Sequence, residues 1–139
     1  MIVQTAVIVQ TAKPVTYQLA IVLAAPARIE IGRLGVYEFP AGRYIYTGSA
    51  KRNIEARIAR HLRRDKRLHW HIDYLLALLE ASVDGVQRSD LAECVLNRQT
   101  AGTLLVPGFG ASDCRHGCGS HLKYLGAAST SPDKQELSS

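Results

Sequence analysis

Several residues carry side chains suited to hydrolysis of a phosphodiester bond. That reaction needs a group that takes a proton from water, a cation that stabilises the charge developing on phosphate, and a hard divalent ion held by oxygen. Tyrosine, arginine and glutamate can fill these roles, and the candidates are Tyr17 or Tyr37, Tyr46, Arg57, His61 and Glu93. A neighbouring cation or a metal-bound water would favour the ionised form of a tyrosine, whose free pKa is about 10. A single carboxylate such as Glu93 suits Mg²⁺, which commonly keeps several waters.

The basic residues are concentrated in one segment. Residues 51–67 hold eight lysines and arginines against two acidic residues, in a chain whose formal net charge is +5 and whose pI is near 9.3. Within that segment Arg57, Arg60 and Arg64 are spaced i, i+3 and i+7, which places them on one face of a helix. This face is either a binding surface for a polyanion or the solvated side of an ordinary helix.

The pattern of apolar residues predicts an α+β fold with a small antiparallel sheet flanked by helices. Strands are expected at 2–10, 15–24, 28–33, 36–39, 43–46, 83–88 and 121–125, and helices at 53–64, 72–81 and 91–96. The strands and turns before residue 46 favour an antiparallel meander. In the first helix Ile54, Ile58 and Leu62 form the predicted buried stripe, and Ser89 or Asp90 is expected to cap the last helix. Residues 1–125 form one predicted domain, and residues 126–139 a flexible, disordered tail.

Composition bounds the cellular setting. With 139 residues, 47% of them hydrophobic, the chain can bury a single core. Three cysteines, an odd number, and the absence of a signal-peptide pattern predict a cytoplasmic protein. The longest apolar stretch, residues 19–26, is too short to cross a bilayer, so no membrane association is expected.

Two other groups have the residue types of a zinc site. His69, His71 and Asp73 would share one face of a strand, but the helix-like run after them favours a role in ordering the junction between helices. Cys114, Cys118 and His121 lie in a glycine-rich loop and would need Cys94 or His116 as a fourth ligand. The alternative for this loop is a turn with small buried thiols, and zinc there is the weaker of the cofactor predictions.

Taken in order, these residues resemble a known family. Tyr46-Thr47-Gly48, Arg57 nine residues after the glycine, His61 four residues later and a helical Glu93 together resemble the GIY-YIG nuclease superfamily. The blocks AGRYIYTGSA, ARIARHLRRDKRLHWHIDYLL and GFGASDC look like one compact branch, whose members occur alone or attached to an endonuclease III-type DNA repair glycosylase. The similarity covers residues 15–125.

The resemblance assigns a role to each matched residue. Tyr46 and Gly48 match the second tyrosine motif, Arg57 the arginine that steadies the scissile phosphate, His61 the histidine one turn later, and Glu93 the metal ligand. For the first motif, Gly35-Val36-Tyr37 matches the family name almost letter for letter, and a two-residue turn would pair Tyr37 with Tyr46. In the closer relatives the tyrosine lies in the earlier strand, here Val15-Thr16-Tyr17, with the intervening strand and hairpin as an insertion. Tyr17 is therefore the favoured candidate.

The resulting prediction is a Mg²⁺- or Mn²⁺-dependent DNA endonuclease with a role in DNA repair or processing. Tyr17 activates water, Tyr46 assists, Arg57 stabilises the phosphate and Glu93 holds the metal, while Gly48, Ser49, Arg60 and Arg64 contact DNA. DNA is the expected partner, together with an associated DNA repair glycosylase. The alternative is a non-catalytic nucleic-acid-binding module with the same basic face. A third interpretation is a zinc-dependent hydrolase built on His69, His71 and the cysteine loop.

Overall fold

The structure, a computed structural model, describes residues 14–50, 52–63, 66–110 and 118–127. These residues form six strands and three α-helices, which confirms the α+β class. The strands are β1 (Thr16–Leu23), β2 (Ala27–Ile31), β3 (Gly35–Phe39), β4 (Gly42–Ser49), β5 (Ala81–Ser89) and β6 (Leu122–Gly126). The helices are α1 (Ile54–Leu62), α2 (His71–Leu76) and α3 (Glu93–Gln99). The predicted first strand at 2–10 and residues 128–139 of the predicted tail lie outside the described residues.

A four-stranded antiparallel sheet in the order β5-β1-β4-β6 forms the centre of the fold. Strand β1 lies inside this sheet, and its alternate residues Tyr17, Leu19, Ile21 and Leu23 are almost completely buried. Side chains on a strand alternate between the two faces, so these four share one face. That face packs against α1 and α2 and contains most of the core.

Strands β2 and β3 pair only with each other and form a separate two-stranded sheet. The predicted meander is therefore wrong, and the pairing of Tyr37 with Tyr46 that a two-residue turn would give does not occur, because Tyr37 lies opposite Ile29 while Tyr46 lies opposite Leu19. The physical reason is length. All eight residues of β4 pair with the eight of β1, whereas the five-residue β3 matches the five-residue β2. The hairpin is thus an insertion between β1 and β4.

The helices differ from expectation mainly at their ends. Asn53 caps α1 by accepting a hydrogen bond from the backbone N–H of Ala56, but the buried residues of this helix are Ile58 and His61, and Leu62 is 51% exposed. Helix α2 ends at Leu76 because the chain must turn into β5, which begins at Ala81. Helix α3 starts at Glu93 with no side-chain cap, since the Ser89 hydroxyl accepts from the N–H of Leu91 in the preceding turn.

A buried carboxylate joins α1 to α2. Asp73 is fully buried and accepts hydrogen bonds from both terminal nitrogens of Arg60 at 3.1 Å, and from the backbone N–H groups of His69 and Trp70 at 2.8 Å. Burial alone would raise the pKa of Asp73, but these hydrogen bonds together hold the pKa below its usual value. The charged acid therefore orders the junction between the helices, as one of the two interpretations of residues 69–73 predicted.

No helix among the described residues is long and apolar enough to span a membrane.

Removing one partner of the ion pair between Arg60 and Asp73 should destabilise the protein strongly. Because Arg60→Ala leaves the Asp73 carboxylate buried without its cation, we expect a loss of about 3–5 kcal/mol in the free energy of unfolding, measured by urea denaturation at pH 7. Arg28→Ala is the matched control: its pair with Glu38 is 71% and 78% exposed, and the loss should stay below about 1 kcal/mol. Equal losses in the two variants would contradict this account of Asp73.

Candidate active site

The pairing of β1 with β4 brings the two candidate tyrosines together. Tyr17 lies directly opposite Gly48, and Leu19 lies opposite Tyr46. Opposed residues of an antiparallel pair share a face, so Tyr17 and Tyr46 are diagonal neighbours on the face that packs against α1. A Cβ atom at position 48 would lie 2.6 Å from the Tyr17 hydroxyl oxygen and 2.7 Å from its ring. Only glycine leaves room for the Tyr17 ring at this point.

His61 of α1 completes this buried group. Its Nε2 is 2.6 Å from the Tyr17 hydroxyl oxygen, and its ring lies edge-on to Tyr46 with centroids 6.0 Å apart. Tyr17 is 1% exposed and His61 2%. Among the described residues, the Nδ1 atom of His61 has no hydrogen-bond partner. The hydrogen bond to Tyr17 therefore fixes the position of the imidazole.

Burial sets the protonation states of the three rings. It raises the pKa of Tyr17 far above its usual value, an effect that the nearby Arg57 guanidinium only partly offsets, and it raises the pKa of Tyr46 in the same way. Burial also lowers the pKa of His61 to about 4, helped by Lys66, whose ammonium donates to the backbone carbonyls of Arg60 and His61. At neutral pH both tyrosines are protonated and the histidine is neutral.

Ser49, the last residue of β4, connects the candidate arginine to the candidate acid. Its backbone carbonyl accepts a hydrogen bond from Nη1 of Arg57 at 3.1 Å, and its hydroxyl donates to Oε1 of Glu93 at 2.6 Å. Helix α1 contacts Tyr17, whereas the residues that flank α3 contact the other face of β1: Leu91 bonds to Thr16 and Thr100 to Gln18. The two helices therefore lie on opposite faces of the sheet, and their functional side chains meet at the end of β4.

Glu93 is held in its charged form. Burial alone would raise the pKa of Glu93, but contact with His121, the hydrogen bond from Ser49 and the charge of Arg57 hold the pKa below its usual value. Its Oε2 lies 2.7 Å from Nδ1 of His121, and the side chain is 26% exposed. Each carboxylate oxygen has two lone pairs, so Glu93 can still bind a cation while keeping these contacts. The residue fits a single-carboxylate site for a hard divalent ion.

The basic face is partly occupied by contacts within the protein. The guanidinium groups of Arg57 and Arg60 stack on the Trp70 ring, at 4.6 and 4.3 Å from its centroid. Arg60 also pairs with Asp73, while Arg64 lies outside the described residues. Arg57 is thus the arginine of this face that borders both the tyrosines and Glu93. The spacing of residues in this segment did not indicate that Trp70 would hold Arg57 there.

The remaining tyrosine and histidine candidates lie elsewhere. Tyr37 is on β3, in the two-stranded sheet rather than the sheet that carries Tyr17 and Tyr46. His71 accepts a hydrogen bond at Nδ1 from the N–H of Gly110, a partner at odds with a zinc site on residues 69–73.

A second group of potential metal ligands lies beside Glu93. One ligand atom from each of Cys94, Cys118 and His121 lies within 4.8 Å of the other two, so this group could hold a metal ion. Cys114, named with Cys118 and His121 in the sequence prediction, lies outside the described residues. Cys94 lies twenty residues before Cys114 in the chain, and the sequence analysis named it as one of two candidates for a further ligand of this group.

The burial of His61 should make stability depend on pH. The pKa is about 4 in the folded chain and about 6.5 in an unfolded one, so the unfolded state binds the proton first as the pH falls. The stabilisation is fully present above pH 6.5 and is lost progressively towards pH 4, by about 3 kcal/mol.

In His61→Gln the contribution of His61 to the pH dependence of the free energy of unfolding should disappear, while the contribution of the carboxylates is kept. Denaturation at pH 7 and pH 4 measures both. An NMR titration should place the midpoint of the His61 imidazole near the same low pH. An imidazole that titrates near its ordinary value would contradict the buried, neutral state.

Comparison with known proteins places the chain in one family. No curated protein and no solved structure matches it significantly. The sequence model of a family described as a domain of unknown function, DUF123, matches residues 16–138. This match spans every described strand and helix, and both candidate sites. The chain therefore belongs to the DUF123 family.

Proposed function

We propose that this protein is a metal-dependent endonuclease that hydrolyses phosphodiester bonds in DNA. The observation that carries the proposal is the meeting, at the end of β4, of the Tyr17–His61 pair, Arg57 and Glu93, with Ser49 bonded to the last two. A proton acceptor, a fixed cation and an ionised carboxylate are the three groups that the reaction needs. The alternative tyrosine, Tyr37, lies on the other sheet, which favours Tyr17 as the first catalytic tyrosine.

The pKa directions disfavour a free tyrosinate in the resting protein. Since the pKa of Tyr17 is raised and that of His61 lowered, transfer of a proton between them in the resting protein is unfavourable. In the proposed step the water oxygen bonds to phosphorus while its proton passes to the Tyr17 oxygen and Tyr17 passes its own proton to Nε2 of His61. The P–O bond to the leaving group breaks, and the leaving oxygen takes a proton from solvent. The 2.6 Å separation of these two atoms suits such a transfer. Tyr46 packs against the imidazole and assists by positioning it.

Arg57 and Glu93 would act on the phosphate. The Arg57 guanidinium, held by Trp70 and the carbonyl of Ser49, can donate hydrogen bonds to the phosphate oxygens as negative charge develops. Glu93 would hold Mg²⁺ or Mn²⁺, which supplies Lewis-acid stabilisation of the phosphoryl oxygens. Other basic side chains of residues 52–67 would contact the DNA backbone. We also propose that the protein associates with a DNA repair glycosylase.

A non-catalytic nucleic-acid-binding module is the second candidate function. The observation that favours it is the burial of both tyrosines, which are 1% and 7% exposed. Catalysis requires that substrate binding open a path to the Tyr17 hydroxyl, whereas binding along the basic face does not. Both functions predict an affinity for DNA that falls steeply with salt, because neutralising phosphates releases counterions.

Cleavage assays separate the two candidates. Tag-free protein should nick supercoiled or branched DNA in Mg²⁺, and Arg57→Ala and Glu93→Ala should each lower the rate by about 100-fold or more, because each removes a charge that acts on the phosphate. Arg28→Ala, on the exposed hairpin, is the control and should cleave at the wild-type rate. If the wild type binds DNA and Mg²⁺ yet cuts no substrate, the catalytic proposal fails and the binding module remains.

A pair of conservative variants tests the choice of tyrosine. Tyr17→Phe removes the hydroxyl that bonds to His61 and should reduce cleavage by about 100-fold or more, within the range for a lost general base. Tyr37→Phe removes the corresponding hydroxyl from the other sheet and should leave the rate unchanged. Circular dichroism and DNA affinity should match the wild type for both. The reverse order of rates would assign the role to Tyr37.

A further inference from the structure

Three potential ligands of a soft metal converge beside Glu93 from distant parts of the chain. Cys94 lies in the first turn of α3, and Cys118 and His121 precede β6. Their ligand atoms lie within 4.8 Å of one another. His121 is 2% exposed and both cysteines are partly buried, so the group is set into the protein rather than spread over its surface. Neither Mg²⁺ nor Mn²⁺ is the natural ion for such a set, since both prefer oxygen ligands.

We propose that Cys94, Cys118 and His121 bind a zinc ion. In a tetrahedral site Zn–S bonds are about 2.3 Å and Zn–N bonds about 2.0–2.1 Å long, so neighbouring ligand atoms are about 3.5–3.8 Å apart. The observed separations are all within 4.8 Å, so they exceed these values by about 1 Å at most, a difference that rotation of the side chains can supply. Two thiolates and an imidazole form the type of ligand set that selects zinc.

The backbone around His121 supports the site. The N–H of His121 donates to the carbonyl of Phe109, and its own carbonyl accepts from the N–H of Thr47 on β4. The imidazole is therefore carried by a segment fixed to the central sheet, while Cys94 is carried by α3. A zinc ion between them would clamp α3 to the sheet next to the end of β4.

Glu93 has the position of an outer carboxylate for this zinc. Its Oε2 lies 2.7 Å from Nδ1 of His121, and a metal-bound histidine commonly donates its other ring N–H to a carboxylate, which orients the ring. In the proposed site Nε2 of His121 would bind zinc, because Nδ1 faces Glu93. In this arrangement Glu93 is a positioning residue for the zinc site. Zinc binding does not depend on the proposed nuclease function.

Elemental analysis of full-length, tag-free protein purified without chelators tests the zinc site. We expect about one zinc per chain, and a drop of about 10-fold or more in Cys94→Ser, Cys118→Ser and His121→Ala. His69→Ala is the matched control, an exposed histidine outside the cluster, and should retain its zinc. Arg57→Ala should retain zinc as well, even if it abolishes cleavage, which keeps the two proposals separable.

A second measurement covers the case in which a ligand variant does not fold. Wild-type apoprotein titrated with Co²⁺ should develop the thiolate-to-cobalt charge-transfer band and the intense visible bands of a tetrahedral site, with a one-to-one end point. A wild type that is purified without zinc and gives no such bands would overturn the proposal, as would a disulfide between Cys94 and Cys118 in protein kept under reducing conditions.

Zinc affinity tests whether Glu93 positions His121. Glu93→Gln should keep the one-to-one stoichiometry but weaken zinc binding by about 10- to 100-fold, measured by competition with a chromophoric chelator. Unchanged zinc affinity in this variant would show that Glu93 does not position His121.

Discussion

The antiparallel register of β1 and β4 is the constraint on which the candidate active site depends. It sets Tyr17 opposite a glycine and places Tyr46 on the same face two residues further along. With any side chain at position 48, the Tyr17 ring would have to leave its position against His61. The same register ends at Ser49, whose carbonyl accepts from an arginine of one helix and whose hydroxyl donates to an acid of another. A shift of one residue would separate all of these groups.

The buried titratable side chains near these two strands are ionised or neutral according to the partners that each one has. Its fully buried acid, Asp73, is surrounded by four hydrogen-bond donors and stays ionised, and the arginine that pairs with it shares the Trp70 ring with Arg57. The rings of Tyr17 and His61, in contrast, are neutral, because the nearby charges of Arg57 and Asp73 compensate only part of the cost of burying a charge on them. The candidate active site thus combines charged groups, Arg57 and Glu93, with the neutral, hydrogen-bonded rings of Tyr17 and His61.

Sequence patterns predicted what depends on neighbouring residues and missed what depends on distant ones. The richness of residues 15–24 in Val, Ile, Thr, Tyr and Leu located β1, and the apolar spacing after Gly48 located α1 with Arg57 on it. The same spacing could not show that His61 rather than Leu62 would be buried, because that choice depends on the contact of His61 with Tyr17 across the core. The partner of β3 was also wrong, since pairing is decided by the whole length of β1 and β4.

The hairpin of β2 and β3 joins the ends of β1 and β4 that lie farthest from the candidate active site. Leu23 and Gly42, where β1 and β4 leave the sheet, lie directly opposite each other, six positions along the strand from Tyr17 and Gly48. That distance is about 20 Å. A relative that lacks the hairpin could join β1 and β4 with a tight turn and keep the candidate active site unchanged. It would, however, lose Ile29, Ile31 and Phe39 from the core, so the apolar side of the second helix would need a different cover.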